Sequence, residues 1–272
     1  EDPLKFEDPY PRITELRSFM NSVGLNDVPI IMAGGVWNIE EYEDWLDNPE
    51  VGPIVFQFGT RPILTQEYPV PNSWKQKLLT LKNGDIYLNR FSPTGFYSSA
   101  IENDFIRELQ GREIRQVDYR TKSDSEFDTP INFGQRGRLV YIKSSDHQKV
   151  QSWVALGHNE PMKTPDETLM FVDKSKALQI LTDQVNCMGC LSHCRFSNWS
   201  DKAENNYTIN RKADPRSFCI QKTLQDAKNG IDIDNQLIFS GHSAYRFSTD
   251  QFYANGFVPT IGELVNRIML GK

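Results

Sequence analysis

All four cysteines of this 272-residue chain fall into one pattern: Cys187, Cys190 and Cys194 read C-x2-C-x3-C, and Cys219 follows further on. Thiolates at such gaps on a turn can wrap one metal centre while a fourth reaches it from a distance. Gly189 gives the backbone between them freedom to turn. An iron–sulfur cluster is the first occupant this pattern suggests. Zinc is its rival, favoured where ligation is tetrahedral without inorganic sulfide, and His193 could then replace a cysteine. The plainer alternative is four reduced, buried thiols, since disulfides do not suit a cytosolic chain.

A second constellation is built from glycines. Ala33-Gly34-Gly35 closes the apolar run VPIIMAGG (28–35), and Gly59-Thr60-Arg61 closes PIVFQFGTR (53–61). A phosphate needs several N–H donors converging within hydrogen-bond reach, and side chains would obstruct that approach. Two glycine turns one βα repeat apart permit it at adjacent strand ends. Thr60 could add a hydroxyl and Arg61 a positive charge. The alternative is a pair of tight turns that bind nothing.

Other residues carry weaker signals. His242, in SGHSAYRF, could reach a substrate pocket from the tail, although such a histidine more often satisfies a carbonyl in a turn. His147 and His158 read as surface residues, and Arg211, Lys212 and Arg216, around Asp214-Pro215, as solvated charges. Trp37 either caps a cofactor or packs, with packing the safer reading; Phe96 and Tyr97 read as core.

These groups must be held by elements. Both glycine turns end apolar runs without polar alternation, the pattern of strands buried on both faces of a parallel sheet. Ahead of them, Ile13, Leu16, Phe19, Met20 and Val23 recur at helical spacing, with Gly24 placed as a C′ glycine. Between them, residues 38–47 read as a helix, with Asn38 as N-cap and Glu41 at capping-box spacing. Strands are expected at 85–91, 138–143, 168–173 and 236–240, and helices at 73–81, 146–156, 174–185 and 260–270. The last helix carries Ile261, Leu264, Val265, Ile268 and Met269 as one apolar stripe. Residues 120–135 are polar and turn-rich and read as a surface loop.

Composition narrows the function classes. Thirty Lys and Arg against 36 Asp and Glu leave a net charge of -6, which argues against a nucleic-acid surface. The apolar runs are strand-sized, short of the ~18 residues of a membrane span, and no signal peptide is visible. A soluble, cytoplasmic protein is expected, acting on a small molecule, with neither nucleic acid nor membrane as partner.

The strings IIMAGGVWN and FQFGTRPILTQEYPVP resemble the last two strands and phosphate loops of the nitronate monooxygenase (2-nitropropane dioxygenase) family, FMN-dependent (β/α)8-barrel enzymes. TGFYSSAI, CMGCLSHCRFSNW, DPRSFCIQKTLQDA and SGHSAYRF resemble a bacterial branch with a long C-terminal extension. The resemblance implies that Ala33, Gly34, Gly35, Gly59 and Thr60 hold the FMN phosphate and that Gln57 faces the flavin. It also implies oxidation of alkyl nitronates by O2 to a carbonyl compound and nitrite, with the catalytic histidine in barrel sequence preceding this chain. The cysteine spacing is similar to that of flavin barrels resembling 2,4-dienoyl-CoA reductase, where it holds a [4Fe-4S] cluster, although the fourth cysteine lies nearer there.

The expected fold is therefore α/β: the C-terminal part of a flavin (β/α)8 TIM barrel with an α+β extension. Residues 1–80 would be the last βα units, 81–186 the α+β extension, 187–235 the metal-binding segment, and 236–272 a strand and helix packing on the barrel. Only two strong parallel strands are written here, whereas a closed barrel needs eight. Their edges and apolar faces should stand uncovered, seeking a missing N-terminal barrel segment or a second copy, and FMN should bind such a piece weakly. Two further functions remain open: a flavin and iron–sulfur reductase of enoyl substrates driven by NAD(P)H, and a non-catalytic, metal-stapled module.

Overall fold

A computed structural model describes residues 8–134, 137–191, 193–197 and 213–271. Arg211 and Lys212, expected to be solvated, lie outside the described residues, as do Ser192 and the end of the CMGCLSHCRFSNW string.

The chain opens with α1 (Tyr10–Ser22). It ends where the glycine signal places it: Gly24 has φ +79°, Gly24 N–H donates to Asn21 and Leu25 N–H to Met20, the paired bonds of a Schellman cap. The apolar stripe does not make the contact, however. Leu16, Phe19 and Val23 are exposed, and Arg17 is the buried residue. Its guanidinium donates to the carbonyls of Val51 and Pro53 at 2.8 Å and of Val28 at 3.0 Å, tying the helix to the approaches of both following strands. A charged fork that satisfies several otherwise orphaned carbonyls takes the one fully buried place on the helix, while Ile13 and Met20 of the stripe are half-buried.

Those strands are β1 (Ile30–Ala33) and β2 (Ile54–Gln57), paired in parallel with Ile30 opposite Ile54 and Ala33 opposite Gln57. The parallel pairing is as the sequence implies, but burial on both faces is not. Ile31 is 62% and Val55 47% exposed, because among the described residues the pair has no third strand and alternate side chains face outward. Between the strands the expected α-helix is a 3-10 helix, Ile39–Trp45, kinked at Tyr42. Asn38 stands at its N-cap, as expected, but makes no side-chain cap bond; its side-chain oxygen instead accepts from Arg61 at 2.7 Å.

The middle of the chain is antiparallel. After α2 (Asn72–Leu79) come β3 (Ile86–Asn89) and β4 (Ser98–Ile101), paired as a hairpin. Its connecting segment holds Phe96 and Tyr97, which are 78% and 62% exposed rather than core. Next are α3 (Asp104–Ile114), β5 (Gln116–Asp118), β6 (Phe127–Phe133) and β7 (Arg138–Lys143). The segment read as a surface loop thus contains a strand. β6 pairs with β7, burying Phe127 while its alternate residues stay exposed, so its polarity belongs to one face. Then follow α4 (His147–Ala155), β8 (Glu160–Lys163), β9 (Thr168–Val172) and α5 (Lys174–Val185), with β9 central in the sheet β5-β9-β8. α5 is capped by Asp173, whose side chain accepts from Lys176 N–H.

Past α6 (Ile220–Lys228), residues 236–240 run beside β4 as an isolated bridge, Ala100 opposite Phe239, rather than as a full strand. α7 (Ile261–Leu270) has the complete capping box between Thr260 and Glu263 and packs on the 3-10 helix Ile39–Trp45. Leu264 and Ile268 are buried; Ile261, Val265 and Met269 are not. Trp37, Leu64, Trp74, Leu78, Ile86, Ile238, Phe247 and Tyr253 form one core that joins the first, middle and last parts of the chain. The architecture is mixed α/β, and among the described residues no sheet closes into a barrel.

Candidate functional site

The two strand tips meet. Ala33, Gly34, Gly35, Gln57, Gly59 and Thr60 line one cleft of about 120 Å³, joined by Arg61 and by Gly241, Ser243 and Ala244 from the tail. Gly34 and Gly35 take φ of +86° and +77°, which L side chains rarely adopt. A methyl group added at Gly34 or Gly59 would meet no atom within 4 Å, so open space stands where side chains would otherwise project. All six residues expected to bind the cofactor line this cleft.

Arg61 is the charge beneath it. It is 2% exposed, its guanidinium lies 4.6 Å from the centre of the Trp37 ring, and Nε donates to the Tyr253 hydroxyl at 3.0 Å. Nη1 donates to the Trp37 carbonyl and to Asn38, while Nη2 is buried with no hydrogen-bond partner. A buried donor left unpaired costs roughly 1–3 kcal/mol, more when charged. Trp37 is a core residue: it packs on Phe247 and Tyr253, and its indole N–H donates to Asp250 at 2.8 Å. Burial raises the Asp250 pKa, but the Trp37 and Phe252 N–H groups and two arginines outweigh it and hold the carboxyl below its usual range.

Sequence reasoning did not find Tyr253, Asp250, Ser243 or Ala244. They lie some two hundred residues from the glycine turns, and in that stretch the sequence pointed to His242 instead. His242 opens a 3-10 helix, His242–Ser248, and is half-buried; its neighbours Gly241 and Ser243 line the cleft and it does not.

The four cysteines also gather. Cys187, Cys190, Cys194 and Cys219 line a second pocket of about 110 Å³, between the end of α5 and the start of α6. Cys219 occupies the N-cap position of α6, and Gly189 turns with φ +72°. Ser197 Oγ donates to the Cys187 sulfur at 2.9 Å, and Gly189 N–H at 3.4 Å. Burial and the three other thiols push the Cys190 thiol pKa up; burial also raises Cys219, with the Lys222 N–H acting against it. Among the described residues, however, no group of three or more His, Cys, Asp or Glu side chains is arranged to hold a metal ion. His193 is exposed and does not line it.

Two other charge readings change. Arg216 is not simply solvated: it pairs with Asp214, which is 2% exposed, and with Asp166 at 2.7 Å. His158 is half-buried, with Nδ1 enclosed and unpaired.

The sequence profile of nitronate monooxygenases matches residues 9–184, well over half of the chain. The chain belongs to the nitronate monooxygenase family, whose members are flavin-dependent oxidoreductases. Neither a curated protein nor a solved structure matches it. The match spans both glycine turns and ends before the first cysteine. Among the described residues no helix is long and apolar enough to cross a membrane.

Proposed function

We propose that this chain carries the phosphate-anchoring part of an FMN site in an enzyme that oxidises alkyl nitronates with O2. One observation carries the reading: two parallel strand tips, Gly34-Gly35 and Gly59-Thr60, line a single cleft together with the buried Arg61. In that role the backbone at Gly34, Gly35 and Gly59 would meet the phosphate oxygens, Arg61 would balance their charge, and Gln57 would face the ring system. The flavin, when bound, supplies the electron transfer to O2; the protein supplies position and electrostatics. Trp37 and Tyr253 hold the Arg61 guanidinium in place, so its charge is oriented before any ligand arrives. The uncovered faces of β1 and β2 support the view that these are the last strands of a larger barrel, whose other strands would bring the catalytic base.

The test compares FMN with riboflavin, which lacks the phosphate, by fluorescence titration of the chain. A phosphate grip gives FMN at least about a tenfold advantage, worth 1.4 kcal/mol; equal binding of the two ends the proposal. Nitrite release from a propyl nitronate in air then tests the substrate. The four-cysteine pocket favours a second reading, a flavin and iron–sulfur reductase; NAD(P)H-driven bleaching of bound FMN without oxygen would select it over the first.

A further inference from the structure

We infer that the chain has a second anion site, apart from the glycine cleft: a cavity of about 280 Å³ lined by Arg90, Arg195 and Arg216, which takes the phosphate group of an aromatic phosphate ester. Three separate stretches of sequence meet there. Arg90 and Phe91 follow β3 and lead into TGFYSSAI, Arg195 comes from the cysteine segment, and Arg216 and Ser217 belong to DPRSFC. The last two stretches follow the end of the family match, so residues 9–184 alone do not make this cavity.

Two of the guanidinium groups are fixed before any ligand arrives. Buried Asp214 accepts from Arg216 Nε and Nη2 at 2.8 and 2.9 Å and from Arg195 Nη2 at 3.0 Å. The Arg195 backbone N–H donates to the Pro93 carbonyl and Ser217 Oγ to the Phe91 carbonyl, which pins both later stretches to the β3–β4 hairpin. Planar forks held in this way suit the oxygens of a phosphate group. The lining carboxylates are Asp166, engaged by Arg216 and by the Thr164 hydroxyl, and the exposed Glu113. Counting Asp214, acids and arginines are equal in number, so the grip comes from unspent donors rather than from net charge. Asp214 takes only one of the five N–H groups of Arg195, and Arg90 adds a second fork at the cavity wall. The ester's remainder is suggested by the hairpin itself. Phe96 and Tyr97 expose their rings to water, and the Arg90 guanidinium lies 5.1 Å from the centre of the Tyr97 ring. Open aromatic faces beside an anion-binding fork suit a flat, apolar group attached to the phosphate.

The experiment titrates the full chain with phenyl phosphate, inorganic phosphate and phenol by calorimetry at low ionic strength. Phenyl phosphate should bind more tightly than inorganic phosphate, and phenol should give no heat. Arg90→Gln should weaken the ester by at least about tenfold, and Phe96→Ala should bring it down to the level of inorganic phosphate. Glu113→Gln removes the opposing charge and should strengthen binding; that gain decides the matter if the arginine variant does not fold. Gly59→Ala, which alters the glycine cleft, should leave the titration unchanged. Heat lost in Gly59→Ala and kept in Arg90→Gln would assign the phosphate to the glycine cleft and overturn the inference. No binding, or an ester bound no better than inorganic phosphate, would overturn it as well. Flavin plays no part in these readouts, so the outcome is independent of the FMN proposal.

Discussion

The Gly241 backbone N–H donates to the Thr60 hydroxyl at 2.9 Å, so the tail of the chain is fastened to the rim of the glycine cleft. The contact is close: a Cβ at Gly241 would stand 3.2 Å from that same oxygen. Through it the 3-10 helix after Gly241 brings Ser243 and Ala244 to the cleft wall. Thr60→Val keeps the volume and leaves the Gly241 N–H without its partner. The expected cost is about 1–3 kcal/mol of stability, read by urea unfolding, together with weaker FMN binding. An unchanged midpoint would show that the tail is held elsewhere.

Gly59 separates binding from folding. Its φ is not in the left-handed region, and an added methyl meets nothing within 4 Å. Gly59→Ala should therefore leave the melting temperature within about 1 °C, since harmless surface changes stay within about 0.5 kcal/mol, while removing most of the FMN-over-riboflavin advantage. Gly34→Ala is the contrast: there φ is +86°, and roughly 1 kcal/mol of backbone strain accompanies any loss of binding. If Gly59→Ala binds FMN as tightly as the parent, the phosphate does not lie in the cleft.

Much of this was legible beforehand, for identifiable reasons. The parallel pair and the convergence of both glycine turns follow from local signals: apolar runs of strand length, and glycine where the chain must turn. α5 and β7 cover the expected residues, 174–185 and 138–143, because each is a run of strand or helix length with its own apolar pattern, while the capping role of Asp173, read as the end of a strand, shows only in the structure. Missed elements had mixed signals. α3 begins in NDFIREL, where its Asn103 cap is plain only once the side chain is seen accepting from Ile106 N–H. β6 is disguised by Asp128 and Asn132 on its exposed face. The burial of Arg17 and exposure of α1's apolar stripe were illegible because they depend on which carbonyls stand opposite, a tertiary fact.

Gly52 tests that Arg17 clamp. It turns with φ +66°, and a Cβ there would stand 2.6 Å from Arg17 Nε. Gly52→Ala should strain the turn and push the guanidinium off the Val51 carbonyl, destabilising the fold by about 2–4 kcal/mol. Arg17→Met should cost a similar amount, because it leaves the Val51 and Pro53 carbonyls unpaired. The double variant should cost less than the sum, as both remove the same interaction. Strict additivity in chemical denaturation would deny the clamp.

His158 makes stability fall on mild acidification. Burial lowers its pKa below 6.5, and the Arg115 guanidinium lowers it further. The folded state therefore resists the proton that the unfolded chain accepts. Above about pH 6.5 both states are neutral and the residue is without effect; below it the unfolded state binds more protons and stability drops. Melting temperature should decline from pH 7 to pH 5.5, ahead of the carboxylate-driven loss at lower pH, and His158→Gln should flatten that portion of the curve. A curve unchanged by the substitution would mean that the ring protonates equally in both states.

The uncovered strand faces should govern association. Ile31 and Val55 stand outward on paired strands, with Ile261, Val265 and Met269 exposed along α7. Large apolar side chains left in water favour burial by roughly 1.5–3 kcal/mol each, so the chain in isolation should self-associate, its apparent mass in light scattering rising with concentration. Ile31→Lys with Val55→Lys should suppress that rise. Both side chains are among the exposed residues of the folded chain, so the double variant should keep a melting temperature close to that of the parent at low concentration. If association persists undiminished with both lysines present, the contact lies on another surface, and the open sheet is not what draws the copies together.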